Sequence, residues 1–178
     1  MSDRLPRWTQ WVVLAVMLIS GNALALPAWE GDTRTTKYFQ APFLVFDTED
    51  DPDQYPMGLS VDNEGVGPAI IKAVTYYVHK EEIAGASPRS VINAARLDAT
   101  QTRFHELKRG ETLDVGKKRW LFWRRENDKA DSEEAARFAS FIDGDLGVKI
   151  QYQSSSGETF TQCRTPDNFD RASIGCPQ

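Results

Sequence analysis

A basic and aromatic run occupies residues 117–125. Its five cationic residues surround an apolar, aromatic centre, although the chain as a whole is acidic. Cations beside aromatic rings attract anionic lipid headgroups, acidic glycans or acidic proteins. The structural alternative is an edge strand that buries one pair of side chains and covers the other with cationic stems. The candidate partner-binding residues are Lys117, Lys118, Arg119, Trp120, Trp123 and Arg124.

Carboxylates recur at alternate positions between residues 47 and 53, a pattern that suggests coordination of a hard cation such as calcium. The acidic residues are Asp47, Glu49, Asp51 and Asp53. An EF-hand loop requires glycine at its sixth position and glutamate at its twelfth, where this chain has Pro52 and Met57. The default interpretation is therefore a solvated acidic loop, and the alternative is a weak extracellular calcium site.

No established catalytic motif occurs in the sequence. It lacks H-E-x-x-H, G-x-S-x-G and the P-loop, and Gly65-x-Gly67 lacks the third glycine of a dinucleotide fingerprint. His79 and His105 could each act as a base, but structural histidines are more common. Because acidic residues are abundant, a hydrolase with a carboxylate pair is the rival prediction. We expect no cofactor and no metal site.

The two cysteines, Cys163 and Cys176, flank a loop-like stretch that contains Pro166 and Gly175. In an oxidising compartment, two cysteines on one short loop most simply pair with each other. Such a disulfide would stabilise the fold by about 3 kcal/mol in the chain-entropy model. Free thiols are the alternative.

The first 25 residues have the order of a secretory signal. Arg4 and Arg7 precede an unbroken apolar run, and a small-residue stretch ends at Ala25, the preferred cleavage site. The alternative is a retained membrane anchor over residues 8–29, with a tryptophan at each end. Both interpretations place the rest of the chain outside the cytoplasm, in the periplasm or secreted, because cations precede the apolar run and acids follow it.

Composition predicts one ordinary globular domain after this leader. The chain has 178 residues and a formal net charge of −5, with 40% hydrophobic and 11% aromatic residues. We expect a linker over residues 26–38 and a single domain over residues 39–178. Nucleic acid is an improbable partner, because its phosphates would meet an acidic surface.

Patterning within the domain predicts a mainly β fold. Strands are expected at residues 43–46, 57–61, 69–78, 112–115, 119–124, 146–153 and 158–162. Two short helices are expected: Pro88–Asp98, with Ser87 as its N-cap, and Ser132–Ile142, with Asp131 and Glu134 as a variant capping box. Short strands with glycine-rich turns favour an antiparallel β-sandwich in which the helices are insertions.

Strand alternation also predicts which side chains share a face. In the strand over residues 119–124, Trp120 and Phe122 are expected on one side and Leu121 and Trp123 on the other. In the strand over residues 69–78, one face carries Ile70, Lys72, Val74, Tyr76 and Val78, and the other carries Ile71, Ala73 and Tyr77. This pattern leaves the inward face open, and both faces could be largely covered.

Two segments resemble a group of uncharacterised bacterial proteins that have an N-terminal membrane signal and one immunoglobulin-like domain. The matching residues are Asn63-x-Gly65-x-Gly67-Pro68-Ala69-x-Ile71 and Ile150-x-Tyr152-x-Ser154-x-x-Gly157-Glu158. The resemblance implies an immunoglobulin-like β-sandwich preceded by a signal or anchor helix, and it implies no activity. We interpret the glycines as turn residues and Asn63 as a residue that bonds its own backbone.

The function expected from these features is a non-enzymatic, extracytoplasmic module of the bacterial envelope, either released or tethered to the membrane. Its expected partner is an envelope protein, an anionic lipid or an acidic glycan. A small envelope hydrolase and a weak calcium-dependent module are the two alternatives.

Overall fold

The structure is a computed structural model that describes residues 41–49, 56–85, 87–124, 132–166, 169 and 171–176. The predicted leader and linker lie outside the described residues, as do Asp51, Asp53, Arg125 and Asp131. None of the helices in these ranges is both long enough and apolar enough to span a membrane.

Nine strands and two α-helices lie within the described residues. The strands are β1 (Leu44–Glu49), β2 (Met57–Asn63), β3 (Ala69–Val78), β4 (Glu81–Glu82), β5 (Arg103–Phe104), β6 (Thr112–Leu113), β7 (Lys118–Arg124), β8 (Leu146–Gln153) and β9 (Thr159–Arg164). The helices are α1 (Pro88–Ala94) and α2 (Ser132–Ser140).

The strands form two antiparallel sheets. The first sheet has the order β1-β2-β7-β5, and the second has the order β4-β3-β8-β9, with β6 paired to the start of β3. The predicted mainly β fold, with antiparallel sheets and two helices, is confirmed. β1 extends beyond its predicted end to Glu49, so Asp47 and Glu49 belong to a strand and not to a loop.

The hydrophobic core lies between the two sheets in a sandwich-like arrangement. Leu59 and Val61 of β2 are fully buried, as are Val148 and Ile150 of β8. Burial of each such side chain contributes about 1.5–3 kcal/mol. The Tyr152 hydroxyl joins the sheets by accepting a 3.4 Å hydrogen bond from the backbone N–H of Leu44.

A β-bulge in β7 overturns the predicted alternation of that strand. Leu59 pairs with Phe122 but the next residue, Ser60, pairs with Trp120, so Leu121 is the extra residue. A bulge allows two successive side chains to lie on the same side of a strand. Leu121 and Phe122 are both fully buried in the core, which makes the prediction that they face opposite sides wrong.

A second irregularity shifts the faces of β3. The pairing with β8 passes from Ile71 to Ala73, which leaves Lys72 as the extra residue. Ile71 therefore joins Tyr76 and Val78 in the core, although alternation predicted that Ile71 would face the other way.

Both predicted helices exist, with shorter α-helical segments than expected. α1 begins at Pro88 after an extended Ser87, but the Ser87 hydroxyl makes no capping hydrogen bond. α1 ends at Ala94 instead of near Asp98. α2 continues into a π-helical turn over Phe141–Asp145, which carries the chain directly into β8.

Asn63 organises the turn between β2 and β3. Its side-chain amide is fully buried and donates 2.8 Å hydrogen bonds to the carbonyls of Gly67 and Leu113. Its carbonyl oxygen accepts from the backbone N–H groups of Phe43 and Gly65 at 3.2 and 3.1 Å. Asn63 thus connects three chain segments, which extends its expected local role.

Gly65 is required by close packing. A Cβ atom at this position would lie 2.6 Å from the carbonyl oxygen of Ala41 and would also meet the backbone nitrogen of Phe43. Gly157 has the expected turn conformation, with a φ of 86°.

The predicted disulfide between Cys163 and Cys176 is confirmed. It joins β9 to a C-terminal tail that packs on Tyr77, outside the main core. The Ile174 carbonyl accepts hydrogen bonds from Lys149 Nζ at 2.8 Å and from the Tyr77 hydroxyl at 3.3 Å. A disulfide of this kind is typical of an oxidising compartment outside the cytoplasm.

Candidate functional site

The basic and aromatic run lies on β7, and its outward side chains form part of a continuous surface. We define the outer face as the outward residues of three neighbouring strands of the first sheet: Val45, Asp47 and Glu49 of β1, Gly58, Ser60 and Asp62 of β2, and Lys118, Trp120 and Trp123 of β7. These positions alternate with core residues such as Leu59 and Val61, which fixes the direction in which they face.

The strand separates the cations that the sequence places together. Lys118 lies on the outer face, where its Nζ atom is 2.7 Å from Asp47 Oδ2. Arg119 reaches toward the second sheet, with its Nε atom 3.9 Å from Glu111 Oε1. Lys117 is exposed and has no ion pair within the described ranges.

Arg124 does not belong to the exposed surface. It is only 1% exposed, and its Nη2 atom donates a 2.5 Å hydrogen bond to Gln101 Oε1. The expectation that Arg124 contacts a partner at the surface is therefore wrong. The bulge at Leu121 contributes to this result, because it places Trp123 on the outer face and turns Arg124 inward.

Trp120 and Trp123 lie half-buried on the outer face beside small residues of β2. Trp120 pairs with Ser60 and Trp123 pairs with Gly58. Ser60 is fully buried, and its hydroxyl donates a 3.3 Å hydrogen bond to the Asp47 carbonyl. Gly58 is buried as well, so the exposed parts of the two indole rings are the surface that can pack against a partner.

Lys118 bridges the aromatic and acidic sides of this face. Its Nζ atom lies 5.0 Å from the centroid of the Trp120 ring while it contacts Asp47. The hydrogen bond to Asp47 raises the pKa of the Lys118 ammonium group above its ordinary value, against the opposing effect of burial. Lys118 therefore stays charged but is already engaged within the molecule.

A shallow cavity of about 300 Å³ lies at the end of the outer face where β7 begins. Its lining consists of Asp62, Asn63, Glu64, Val115, Gly116 and Lys118. Burial raises the pKa of the Asp62 carboxyl above its ordinary value, although Lys118 partly opposes the shift. The Oδ1 atom of Asp62 is buried and has no hydrogen-bond partner among the described residues.

The described part of the acidic stretch does not assemble into a metal centre. Asp47 and Glu49 lie on the outer face of β1, and Asp47 pairs with Lys118. Across the described ranges, no group of three or more histidine, cysteine or acidic residues is placed to hold a metal ion. Because Asp51 and Asp53 lie outside those ranges, the calcium alternative stays a prediction.

Both histidines pair with carboxylates near the surface. His105 Nε2 lies 3.0 Å from Glu111 Oε1, and His79 Nδ1 lies 3.0 Å from Asp145 Oδ1. The exposed fractions of the two histidine side chains are 42% and 63%. Neither pair lines the cavity beside Asp62.

Comparison of the chain with family models, with curated proteins and with solved structures found no significant match.

Sequence reasoning located Lys118, Trp120 and Trp123 but missed their neighbours on β2. Gly58 and Ser60 carry no chemical signal of their own, and only the pairing of β2 with β7 places them between the tryptophans and the acids of β1. Strict alternation within β2 was the one signal that put Gly58, Ser60 and Asp62 on a common face.

Proposed function

We propose that this chain is a non-enzymatic, extracytoplasmic binding module with an immunoglobulin-like fold. The strand order supports the proposal, because β1-β2-β7-β5 corresponds to the A-B-E-D sheet of immunoglobulin domains, and β3-β8-β9 corresponds to C-F-G. The disulfide Cys163–Cys176 supports localisation in the periplasm or outside the cell. In this proposal the leader is either removed after Ala25 or kept as an anchor over residues 8–29.

The observation that carries the proposed function is the arrangement of Trp120 and Trp123 on one face of the first sheet. Tryptophan is enriched among residues that dominate binding energy, particularly where it is partly buried in a well-packed surface. Gly58 and Ser60 are both buried between the neighbouring strands, so the parts open to a partner are the exposed portions of the two half-buried rings. The outer face is therefore the contact surface for another envelope component.

Of the three expected partners, an envelope protein fits this surface best. Lys118 and Arg119 already lie near carboxylates of the same chain, and Arg124 is buried. An anionic lipid or acidic glycan would have to compete with Asp47 for Lys118. A protein partner can use the aromatic surface without breaking that ion pair.

Binding is tested with affinity-tagged full-length chains recovered with a crosslinked partner from the native envelope. Trp120→Ala and Trp123→Ala are expected to reduce recovery of a specific partner by roughly tenfold each, the usual effect of truncating a binding hot spot. Val66→Ala removes an exposed apolar side chain that lies outside both the outer face and the cavity beside Asp62, and it serves as the matched control. Equal recovery by all four proteins would remove the outer face from consideration.

Two further binding assays, one with lipid vesicles and one with a glycan, test the other two expected partners. The proposal expects no binding to vesicles rich in anionic lipid and no binding to an acidic polysaccharide above the level seen with neutral counterparts. Binding to either that is lost in Lys117→Glu would replace the protein partner with that ligand.

The cavity beside Asp62 favours a hydrolase as the second candidate function. It holds two carboxyl-bearing side chains, and the raised pKa of Asp62 is a property of general acids. Against this, one carboxyl oxygen of Asp62 is buried and inaccessible to substrate. Hydrolysis of envelope glycan by the wild type, abolished in both Asp62→Asn and Glu64→Gln, would establish this candidate. Equal turnover in wild type and variants would dispose of it.

A further inference from the structure

Two rows of residues cross the outer face with nearly the same chemistry. The first row contains Asp47, Ser60 and Trp120, and the second contains Glu49, Gly58 and Trp123. Each row runs from a carboxylate on β1, over a small residue on β2, to a tryptophan on β7. The carboxylate-bearing and indole-bearing strands are roughly 10 Å apart, two strand spacings, in both rows.

The first row already holds a cation that belongs to the chain itself. The Lys118 ammonium group lies between the Asp47 carboxylate, at 2.7 Å, and the Trp120 ring, at 5.0 Å from its centroid. This position combines an ion pair with a cation–π contact. The first row therefore shows that an ammonium group fits between a carboxylate of β1 and an indole ring of β7.

The second row lacks such a cation among the residues that the structure describes. Glu49 is half-buried, and its side chain makes no ion pair or hydrogen bond within those residues. Its electrostatic neighbour is Lys118 in the adjacent row. Trp123 has no cation over its ring in the same ranges. Arg103 pairs with Trp123 from β5, on the opposite side of the tryptophan from Gly58 and Glu49.

We infer that the row Glu49, Gly58 and Trp123 binds a lysine or arginine side chain of a partner protein. The occupant is cationic because one wall of the row is a carboxylate and the other is an indole face. The net charge of −5 also attracts basic partners over a distance. The inference rests on the proposed function, since it names the chemistry of the partner segment that the outer face contacts.

Gly58 is buried and closely packed against β7, since a Cβ atom at this position would meet the Phe122 carbonyl oxygen and the Trp123 Cα atom. Ser60 has a side chain directed toward Asp47, whereas Gly58 has none. The groups of the second row that a cation can reach are the Glu49 carboxylate and the Trp123 ring, which are each half-buried. Arginine is expected to bind more tightly than lysine, because its planar fork can contact Glu49 and stack on Trp123 together.

The test uses the full-length chain in mild detergent micelles and records the indole N–H resonances of its tryptophans. The probes are three synthetic peptides, acetyl-Gly-Ser-Gly-Xaa-Gly-Ser-Gly-amide, in which Xaa is arginine, lysine or glutamine. The arginine and lysine peptides are expected to shift the Trp123 resonance in a saturable way. The glutamine peptide, which has the same length without the charge, is expected to leave it unchanged.

Two variants separate this site from general attraction of basic peptides. Glu49→Gln is expected to weaken arginine-peptide binding by roughly three- to tenfold while preserving the spectrum of the folded protein. Lys118→Met empties the first row and is expected to make the Trp120 resonance respond as well. In the wild type, Trp120 is expected to respond to none of the peptides.

The inference is overturned if Trp123 does not respond, if the glutamine peptide shifts it equally, or if Glu49→Gln binds as tightly as the wild type. The proposed function is unaffected by these outcomes if the Trp120→Ala and Trp123→Ala variants still recover less of the crosslinked partner than the wild type does. The reverse result, peptide binding without any partner that depends on the tryptophans, overturns the proposed function and keeps the cation site.

Discussion

Asn63 is the polar residue on which the turn between β2 and β3 depends. Its amide makes four hydrogen bonds, and every partner is a backbone group of a neighbouring segment. Removal of a buried side chain of this kind leaves its partners unsatisfied, which costs more than the net value of the hydrogen bonds. Asn63 is therefore a residue of the fold and not of the site.

Asn63→Ala is expected to lower the free energy of unfolding by roughly 3 kcal/mol. Urea unfolding followed by circular dichroism measures the change. Asn93→Ala makes the same substitution at an exposed position of α1 and is expected to change stability by less than about 0.5 kcal/mol. Similar losses in both variants would show that the network around Asn63 contributes nothing particular.

Asp62 gives the outer face a defined pH dependence. Its pKa is raised in the folded protein by burial, so the folded state binds its proton more tightly than the unfolded chain does. The stability linked to the protonated form is thus present at low pH and decreases as the pH rises through the raised pKa.

Asp62→Asn is expected to be more stable than the wild type at neutral pH. The difference between the two proteins should shrink as the pH falls through the raised pKa of Asp62, because the carboxyl group of the wild type then becomes protonated. Urea unfolding at a series of pH values measures this difference. A difference that grows on acidification would mean that the pairing with Lys118 outweighs burial.

At the scale of elements, the sequence predicted most strands but not how their faces are arranged. Composition and alternation placed β2, β3, β7 and β8 nearly at their observed bounds. The bulges at Leu121 and Lys72 were not predicted, because each exists only through the pairing of one strand with another. One extra residue reverses the face of everything beyond it, which is why Arg124 lies inside and why Ile71 shares the core with Tyr76 and Val78.

The helices show the same limit for local signals. Proline at the first position of α1 and the apolar spacing of both helices predicted their presence. Ser87 satisfied the sequence pattern of an N-cap, yet its hydroxyl makes no capping hydrogen bond. The π-helical turn after α2 was not predicted, since its start at Phe141 depends on burial of Phe141 and Ile142 in the core.

The disulfide-bonded tail is the element that the sequence predicted best, because both cysteines lie close together in the chain. Replacing Cys163 and Cys176 by alanine is expected to lower the free energy of unfolding by about 3 kcal/mol. Thermal unfolding of the double variant, compared with the oxidised wild type, measures the loss, and the reduced wild type is the matched control. Hydrogen exchange should increase first around Ile174 and Tyr77, and equal stability of the oxidised and double-variant proteins would contradict this role.

For the whole molecule, the cations that cluster in the sequence of this acidic chain mostly contact other groups of the same chain. The basic run on β7 is a conspicuous sequence feature, yet one of its residues is buried and two others lie near carboxylates. Such pairing requires three segments to come together: β1, the residues just before β6, and β7. Spacing along the chain predicts none of these contacts. What the outer face leaves exposed is aromatic surface and an acidic edge.

Site-directed photo-crosslinking in intact cells tests most directly whether the outer face is a binding surface. A photoreactive residue replaces Val45, on the outer face, or Ala73, an exposed residue on the outward side of β3 in the other sheet. The account predicts a discrete crosslinked product from position 45 that is lost when Trp120→Ala and Trp123→Ala are added, and none from position 73. Equal products from both positions, or a product from position 45 that survives loss of both tryptophans, would contradict it.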